Sequence, residues 1–300
     1  MIGLNHMASS SSSSFPFDPN QFKISQRQSW DSVAPGWKTW WEPIEKGAQA
    51  LSSRLVQLAE IKPGYRVLDI ATGIGEPAMT AAKIVGSSGH IIATDISARM
   101  LAIAKERAAA LGLQNITEFK ESDAENIDFP DSFFDAALCR WGLMLLPNLD
   151  AALSKIHTSI ISGRRFAAAV WSTPHKVPII SLASNIISEQ LQTPMPQKGI
   201  PNPFSLADAN KLEISLIKAG FRDVRSETIA VRFEFTSGED YSRYCQAVST
   251  APRIALSKET EERKEEIWKR IAEAAVQNYG VGNGLVRMDN ESICVVGTRP

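Results

Sequence analysis

The chain predicts an α/β fold built on an open, doubly wound, mostly parallel sheet. Apolar runs of seven or eight residues alternate with helical patterns from Tyr65 to Trp171. The first run, "YRVLDIA", leads straight into the glycine turn "TGIGEPA". The 300 residues, 44% hydrophobic and 22% charged, suffice for one large domain with a cap. Such alternation implies right-handed parallel crossovers, and the ligand crevice of such a sheet lies at the carboxyl ends of its strands.

The elements follow in order. Gln21 to Glu42 gathers Trp30, Trp37, Trp40 and Trp41 in an amphipathic stretch that Pro35-Gly36 should break. These indoles suit either packing against the main domain or an aromatic lid over a pocket. Gly47 to Ala59 reads as a helix with Leu51, Leu55 and Leu58 at helical spacing, ended by Lys62-Pro63-Gly64. "YRVLDIA", "HIIATDI", "ITEFKES", "FDAALCRW" and "RRFAAAVW" are strands. Pro77 to Val85, Ala98 to Leu111 and Leu149 to Ile161 are the intervening helices. After Trp171 come the loops "TPHKVP" and "QTPMPQKGIPNPF" around a helix near Ile179 to Gln190. Ser205 to Ala219 is a helix with Ser205 and Asp208 as capping candidates and Gly220 at its end. "DVRSETIAVRFEF" is a strand, Glu239 to Val248 and Lys258 to Tyr279 are helices, and "SICVVGT" closes the chain as a strand. The mixed charges from Lys258 to Arg270 read as a solvated helix face. Three regions result: a disordered tail or cloning remnant over 1–20, N-terminal helices or lid over 21–60, and a catalytic domain over 61–300. Cap insertions are expected at about 172–204 and 238–282.

Composition narrows the function. A formal net charge of −1 argues against a broad nucleic-acid-binding face. Cys139, Cys245 and Cys294 form no Cys-x-x-Cys pair, so neither a zinc site nor a disulfide framework is expected, which fits a reducing interior. No apolar run approaches the ~20 residues of a membrane helix, and the chain is expected in the cytoplasm. The Ser9 to Ser14 run and His6 fall in the tail; a transit sequence from Met7 would be Arg-rich, and this segment has no Arg.

Which ligand the glycine turn holds is decided by its carboxylates. Gly73-x-Gly75-x-x-Ala78 also fits a dinucleotide fingerprint. Asp69, four residues before Gly73, would repel a pyrophosphate but favour an amino group and a positive sulfur. Asp95, at the end of the second strand, can accept ribose hydroxyls for either cofactor. Asp123, after the third strand, is placed for an adenine amino group, with the Ala124 N–H within reach of a ring nitrogen. The competing readings are local: Asp95 as a cap for the helix starting at Ser97, Asp123 as a turn residue.

Taken in order, "VLDIATGIGEPA", "ATDIS", "SDAENIDFPDSFFD", "FDAALCRWGLMLLPNLDAAL" and "IISGRRFAAAVW" resemble the class I S-adenosylmethionine-dependent methyltransferases. Within them the chain is most similar to the small-molecule branch of ubiquinone/menaquinone C-methyltransferases, which share the Asp-x-Ala-x-Gly form of Asp69 to Gly73. The resemblance covers roughly residues 25 to 172, and more loosely "PNPFSLAD", "AGF" and the last strand. It implies a Rossmann-like sheet of seven strands, the last antiparallel, with S-adenosylmethionine as cofactor and S-adenosylhomocysteine as product. It also implies that Ala71, Thr72, Gly73 and Gly75 lie against the methionine part, with Asp69 facing the ligand, and that Asp95 takes the ribose. Ile96 and Met100 would flank the adenine, Asp123 and Ala124 would read its edge, and Ser97 and Glu125 complete the set. Ala71 departs from the more common Gly, and Ser162-Gly163-Arg164-Arg165 from the usual Lys-Pro-Gly-Gly turn.

Methyl transfer is an in-line displacement, so positioning and water exclusion can supply most of the rate. His175, after the fifth strand, is the candidate general base; His157 and His90 read as structural. Arg140 and Trp141, directly after the fourth strand, are expected to face cofactor and acceptor. Trp30, Trp37, Trp41, Trp141, Trp171 and Phe204 would wall a pocket for a small apolar or aromatic acceptor. No metal, nucleic acid or membrane span is expected, and the oligomeric state stays open. A nicotinamide-dependent oxidoreductase and a noncatalytic cofactor-binding relative are the alternatives.

Overall fold

The computed structural model describes residues 17–192 and 199–300. The Ser9 to Ser14 run, His6 and Met7 lie outside the described residues, as does the 193–198 part of the loop expected after the sixth helix.

A seven-stranded sheet organises the chain in the order β3-β2-β1-β4-β5-β7-β6. The strands are β1 Arg66–Ile70, β2 His90–Asp95, β3 Thr117–Glu121, β4 Phe134–Arg140, β5 Ile160–Trp171, β6 Arg222–Phe235 and β7 Val286–Thr298. Strands β1 to β5 pair in parallel. β7 runs antiparallel to both β5 and β6. Order reverses between β1 and β4, so the crevice of this sheet opens where those two strands end.

The helices are α1 Pro19–Thr39, α2 Trp41–Leu58, α3 Ala78–Val85, α4 Ala98–Ala110, α5 Leu149–Ser159, α6 Pro178–Leu191, α7 Ala209–Lys218, α8 Gly238–Val248, α9 Thr250–Ala255 and α10 Glu261–Tyr279. The core follows from the apolar runs: Val67, Leu68, Ile91, Ala93, Leu138, Phe166 and Val170 are fully buried. Burial of each larger side chain contributes about 1.5–3 kcal/mol. Along β6, buried Val231, Phe233 and Phe235 alternate with exposed Arg232 and Glu234, because α2 covers one face only.

Helix boundaries depart from the sequence pattern at the N-terminus. The tail expected over 1–20 ends earlier, since Asp18 caps α1 by accepting from the Asn20 and Gln21 N–H groups. Pro35-Gly36 does not break the helix, which runs on to Thr39. The Thr39 hydroxyl donates to the Pro35 carbonyl, and the Trp40 N–H to Gly36 O at 2.9 Å, so the carbonyls of both residues stay bonded in the last turn. Gly36 serves packing: a Cβ there would lie 2.1 Å from the Ala247 carbonyl oxygen of α8. α2 starts at Trp41, six residues before the expected Gly47, and Gly47 is an approach point to β6, where a Cβ would meet Arg232 O at 2.5 Å.

Elsewhere the differences are shorter. β5 begins at Ile160, inside the expected helix end, because its first residue pairs with Phe134. β7 begins six residues before "SICVVGT", matched to the full length of β6. α9 is an added turn of helix. α6 and α8 to α10 occupy the two expected insertions. Among the described residues no helix is long and apolar enough to cross a membrane.

Candidate functional site

Loop 71–77 joins β1 to α3 at the crevice. Asp69 ties both of its ends: Oδ2 accepts from the Thr72 hydroxyl at 2.6 Å and from the Ala78 N–H at 3.0 Å. Its other oxygen, Oδ1, is fully buried with no hydrogen-bond partner. Burial drives the carboxyl up to about 7, against the pull of Thr72, Arg140 and the Ala78 N–H. Asp69 is therefore an anchor of the loop. The Thr72 N–H donates to Thr94 O of β2, fixing the loop to the neighbouring strand.

The turn itself requires unusual backbone. Gly73 has φ +57°, and a Cβ built on it would meet nothing within 4 Å, so a ligand can approach the chain there. Ala71, at φ +55°, and Trp141, at φ +61°, hold left-handed conformations that cost side-chain-bearing residues of order 1–3 kcal/mol each. The two turns interlock, since a Cβ on Gly142 would lie 2.5 Å from the Ala71 Cβ. Two of the seven described non-glycine residues with positive φ thus stand where β1 and β4 end.

Asp95 ends β2, buried. Oδ2 accepts from the Gly73 N–H at 2.8 Å and Oδ1 from the Ser97 N–H at 2.9 Å. Burial raises its carboxyl to about 6, opposed by the Ser97, Gly73 and Ile96 N–H groups. Asp95 thus braces the glycine turn and the Ser97 cap of α4 together. Ser97 caps α4 through the Met100 N–H and donates to Asp31 Oδ1 of α1 at 2.6 Å. Ile96 is half-buried, while Met100 is buried beside Ile74.

Asp123 follows β3. Oδ1 accepts from the Glu125 N–H at 3.0 Å; Oδ2 accepts from the Asn126 amide and from Lys23 Nζ of α1, both at 2.7 Å. Lys23 also reaches Glu125 Oε2 at 2.8 Å, and Glu125 Oε1 accepts from the Asn148 N–H at 2.8 Å. Burial pushes the Asp123 carboxyl up, but the Lys23, Glu125 and Asn126 donors outweigh it and hold it below the ordinary range. Ala124 is half-buried between them.

Three expectations are corrected. Arg140 does not face a ligand: its guanidinium is buried and spent on α2, with Glu45 Oε1 at 2.8 Å, Glu45 Oε2 at 3.2 Å and Ser52 Oγ at 2.8 Å. A buried guanidinium needs such a partner to offset its desolvation. The six aromatic residues do not form one wall. Trp30, Trp37 and Trp41 pack around Val33, Ala34, Ile74, Met100 and Ile103. Trp141 stacks on Trp171 at 4.1 Å by the ends of β4 and β5, and both belong with Phe204 to the main core. His175 is exposed on a short 3-10 turn, with Thr173 Oγ1 at 3.4 Å, and no buried group fixes its ring as a base would require.

Sequence reasoning missed Lys23, Asp31, Glu45, Glu76 and Arg107. Glu76 is buried next to Gly75, with Thr80 Oγ1 donating to Oε2 at 2.6 Å; burial and the nearby Glu45 raise its carboxyl. Arg107 donates to Ile74 O and lies 4.7 Å over the Trp41 ring. Lys23, Arg27 and Asp31 stand four residues apart on one face of α1, a signal readable in the sequence. The Glu45–Arg140 pair, 95 residues apart, left no such trace.

Residues 61–199 match a protein family described as a methyltransferase domain. The chain is 33% identical over 146 residues to a 2-phytyl-1,4-naphtoquinone methyltransferase of Synechococcus elongatus, covering 48% of this chain and 63% of that protein. The chain thus spans less than two thirds of that relative's length. Among solved structures, the [4+2]-cyclase SpnF aligns with a TM-score of 0.59 at 19% identity, over 92% of this chain and 96% of that one. Phosphoethanolamine N-methyltransferase 2 of Haemonchus contortus, solved with phosphomonomethylethanolamine and S-adenosylhomocysteine, aligns with a TM-score of 0.59 at 17% identity, over 95% of this chain and 62% of that one. The chain carries a class I methyltransferase domain on a fold that also serves other chemistry.

Proposed function

Starting from a chain that carries a class I methyltransferase domain, we propose that it binds S-adenosylmethionine at the β1–β4 crevice and methylates a small apolar or aromatic acceptor in the cytoplasm. One observation carries the reading: a two-glycine turn at the β1–β4 crevice, open at Gly73 and braced by the buried carboxyls of Asp69 and Asp95. Acidic groups this close behind the turn suit a cationic ligand group and disfavour a pyrophosphate, which counts against a nicotinamide cofactor.

The cofactor supplies an electrophilic methyl carbon on a positive sulfur. The protein's part is to bind, orient and exclude water. Gly73 lets the backbone approach the ligand, and Asp69 fixes the loop that carries it through Thr72 and the Ala78 N–H. Asp95 Oδ2 takes one backbone donor and has capacity for one ribose hydroxyl. Asp123 meets the purine edge. α1 lies over this half of the crevice through Trp30, Trp37 and Lys23 and keeps it dry. The stacked Trp141 and Trp171 bound the acceptor side, and the likeness to a quinone methyltransferase supports an apolar or aromatic acceptor. In-line attack held in this geometry needs no histidine base.

The test is calorimetric titration with S-adenosylmethionine, S-adenosylhomocysteine and NAD, together with transfer of labelled methyl to a panel of quinols and phenols. Micromolar binding of the two sulfur compounds, none of NAD, label in an aromatic acceptor and unchanged turnover in His175→Ala are expected. Binding of NAD alone, or of nothing, overturns the reading. Tight cofactor binding with no transfer to any acceptor leaves a noncatalytic relative in its place.

A further inference from the structure

We propose that Lys23 is a positioning residue for purine recognition: from α1 it fixes the Asp123 carboxylate so that a single oxygen, Oδ1, is left to accept the exocyclic amine of a 6-aminopurine. The inference rests on the adenine placement given under the proposed function and goes beyond it, because Lys23 lies outside the 61–199 methyltransferase match.

The argument is a count of lone pairs. Each carboxylate oxygen accepts about two hydrogen bonds. Oδ2 of Asp123 has both, from Lys23 Nζ and the Asn126 amide, each at 2.7 Å. Oδ1 has one, from the Glu125 N–H at 3.0 Å, and so keeps capacity for one more donor. Lys23 is held in turn by Glu125 Oε2, whose other oxygen is pinned by the Asn148 N–H. Side-chain exposures of 17% for Lys23, 21% for Asp123 and 7% for Glu125 place the group well out of bulk water, where ion pairs are geometrically defined rather than fluctuating.

The helix is anchored in register by two further contacts on the same face. Arg27 lies 3.3 Å from Glu121 at the end of β3, and Asp31 accepts from Ser97 at the start of α4. Lys23 therefore cannot slide away from Asp123 without disturbing both. A carboxylate oxygen presented this way accepts from an amine at purine position 6 and repels a carbonyl there. Hypoxanthine is thus the natural mismatched probe.

The experiment compares calorimetric affinities of the full-length protein for S-adenosylhomocysteine and S-inosylhomocysteine. The wild type should prefer the adenosyl compound by about tenfold or more, the size expected for a hydrogen bond to a charged acceptor. Lys23→Met should cut that preference at least about threefold, Lys23→Arg should restore most of it, and Lys38→Gln, which removes an exposed pair at the far end of α1, should leave it unchanged. Misfolding would weaken both ligands alike and leave the ratio unmoved. If Lys23→Met weakens both equally or keeps the full preference while Asp123→Asn abolishes it, the inference is overturned and the proposed function stands. A preference that survives Asp123→Asn, or is missing from the wild type, overturns the adenine placement itself and this inference with it.

Discussion

Asp69→Asn should make the ligand-free protein more stable at alkaline pH. The carboxyl rises from 3.8 to about 7, with burial as the leading cause. That rise corresponds to about 4 kcal/mol between its charged and neutral forms. The sign follows from proton linkage. Between about pH 4 and 7 the folded state holds a proton that the unfolded state has lost, so stability falls as pH rises through that window and the penalty is complete above it. Asparagine does not titrate, and its carbonyl can still accept from Thr72 and Ala78. It buries an amide where Oδ1 now has no partner, at a cost of about 1–3 kcal/mol. The net gain at about pH 8 is then about 1–3 kcal/mol. At about pH 5.5 the wild type has recovered about 2 kcal/mol, and the advantage shrinks towards zero. Urea unfolding at the two pH values measures the difference directly. A variant that is destabilised equally at both pH values refutes the reasoning, since Asp69 would then be charged and satisfied throughout.

Two further outcomes test the packing around the site. Glu45→Gln leaves the Arg140 guanidinium buried without its counter-charge and should cost about 3–5 kcal/mol, whereas Glu45→Leu combined with Arg140→Met should recover most of it; denaturant midpoints decide. Gly36→Ala places a methyl 2.1 Å from the Ala247 carbonyl oxygen, so α1 should lift from α8 at a cost of about 1–3 kcal/mol. Amide exchange should then quicken across 19–39 with β1 to β5 still protected, and unchanged exchange in α1 would contradict the close approach.

The central sheet was legible because its information is local. β1, β2 and β4 are short apolar runs bounded by turn residues, β3 is a more polar edge strand, and the order of the strands gives parallel crossovers. Helix ends were less so. Pro35-Gly36 carries a strong local break signal, yet α8 supplies a surface on which the helix continues. Within the site, Asp69, Asp95 and Asp123 stand at strand ends that the alternation already places at the crevice. Their partners Thr72, Ser97 and Glu125 lie within three residues of them, whereas Gly73 reaches Asp95 across 22 positions because β1 and β2 pair side by side.

What sequence alone determined here is the periodicity of apolar residues and the residue types at the ends of strands, because both arise from interactions within a few positions of each other. Tertiary structure decided the rest: that Arg140 turns to Glu45 and Ser52, that three of the tryptophans pack with Met100 while two others stack at the far strand ends, and that Lys23 reaches Asp123. Those outcomes depend on which partner relieves the desolvation of a buried charge or covers an apolar ring. Partners separated by about a hundred positions meet only when the sheet has closed.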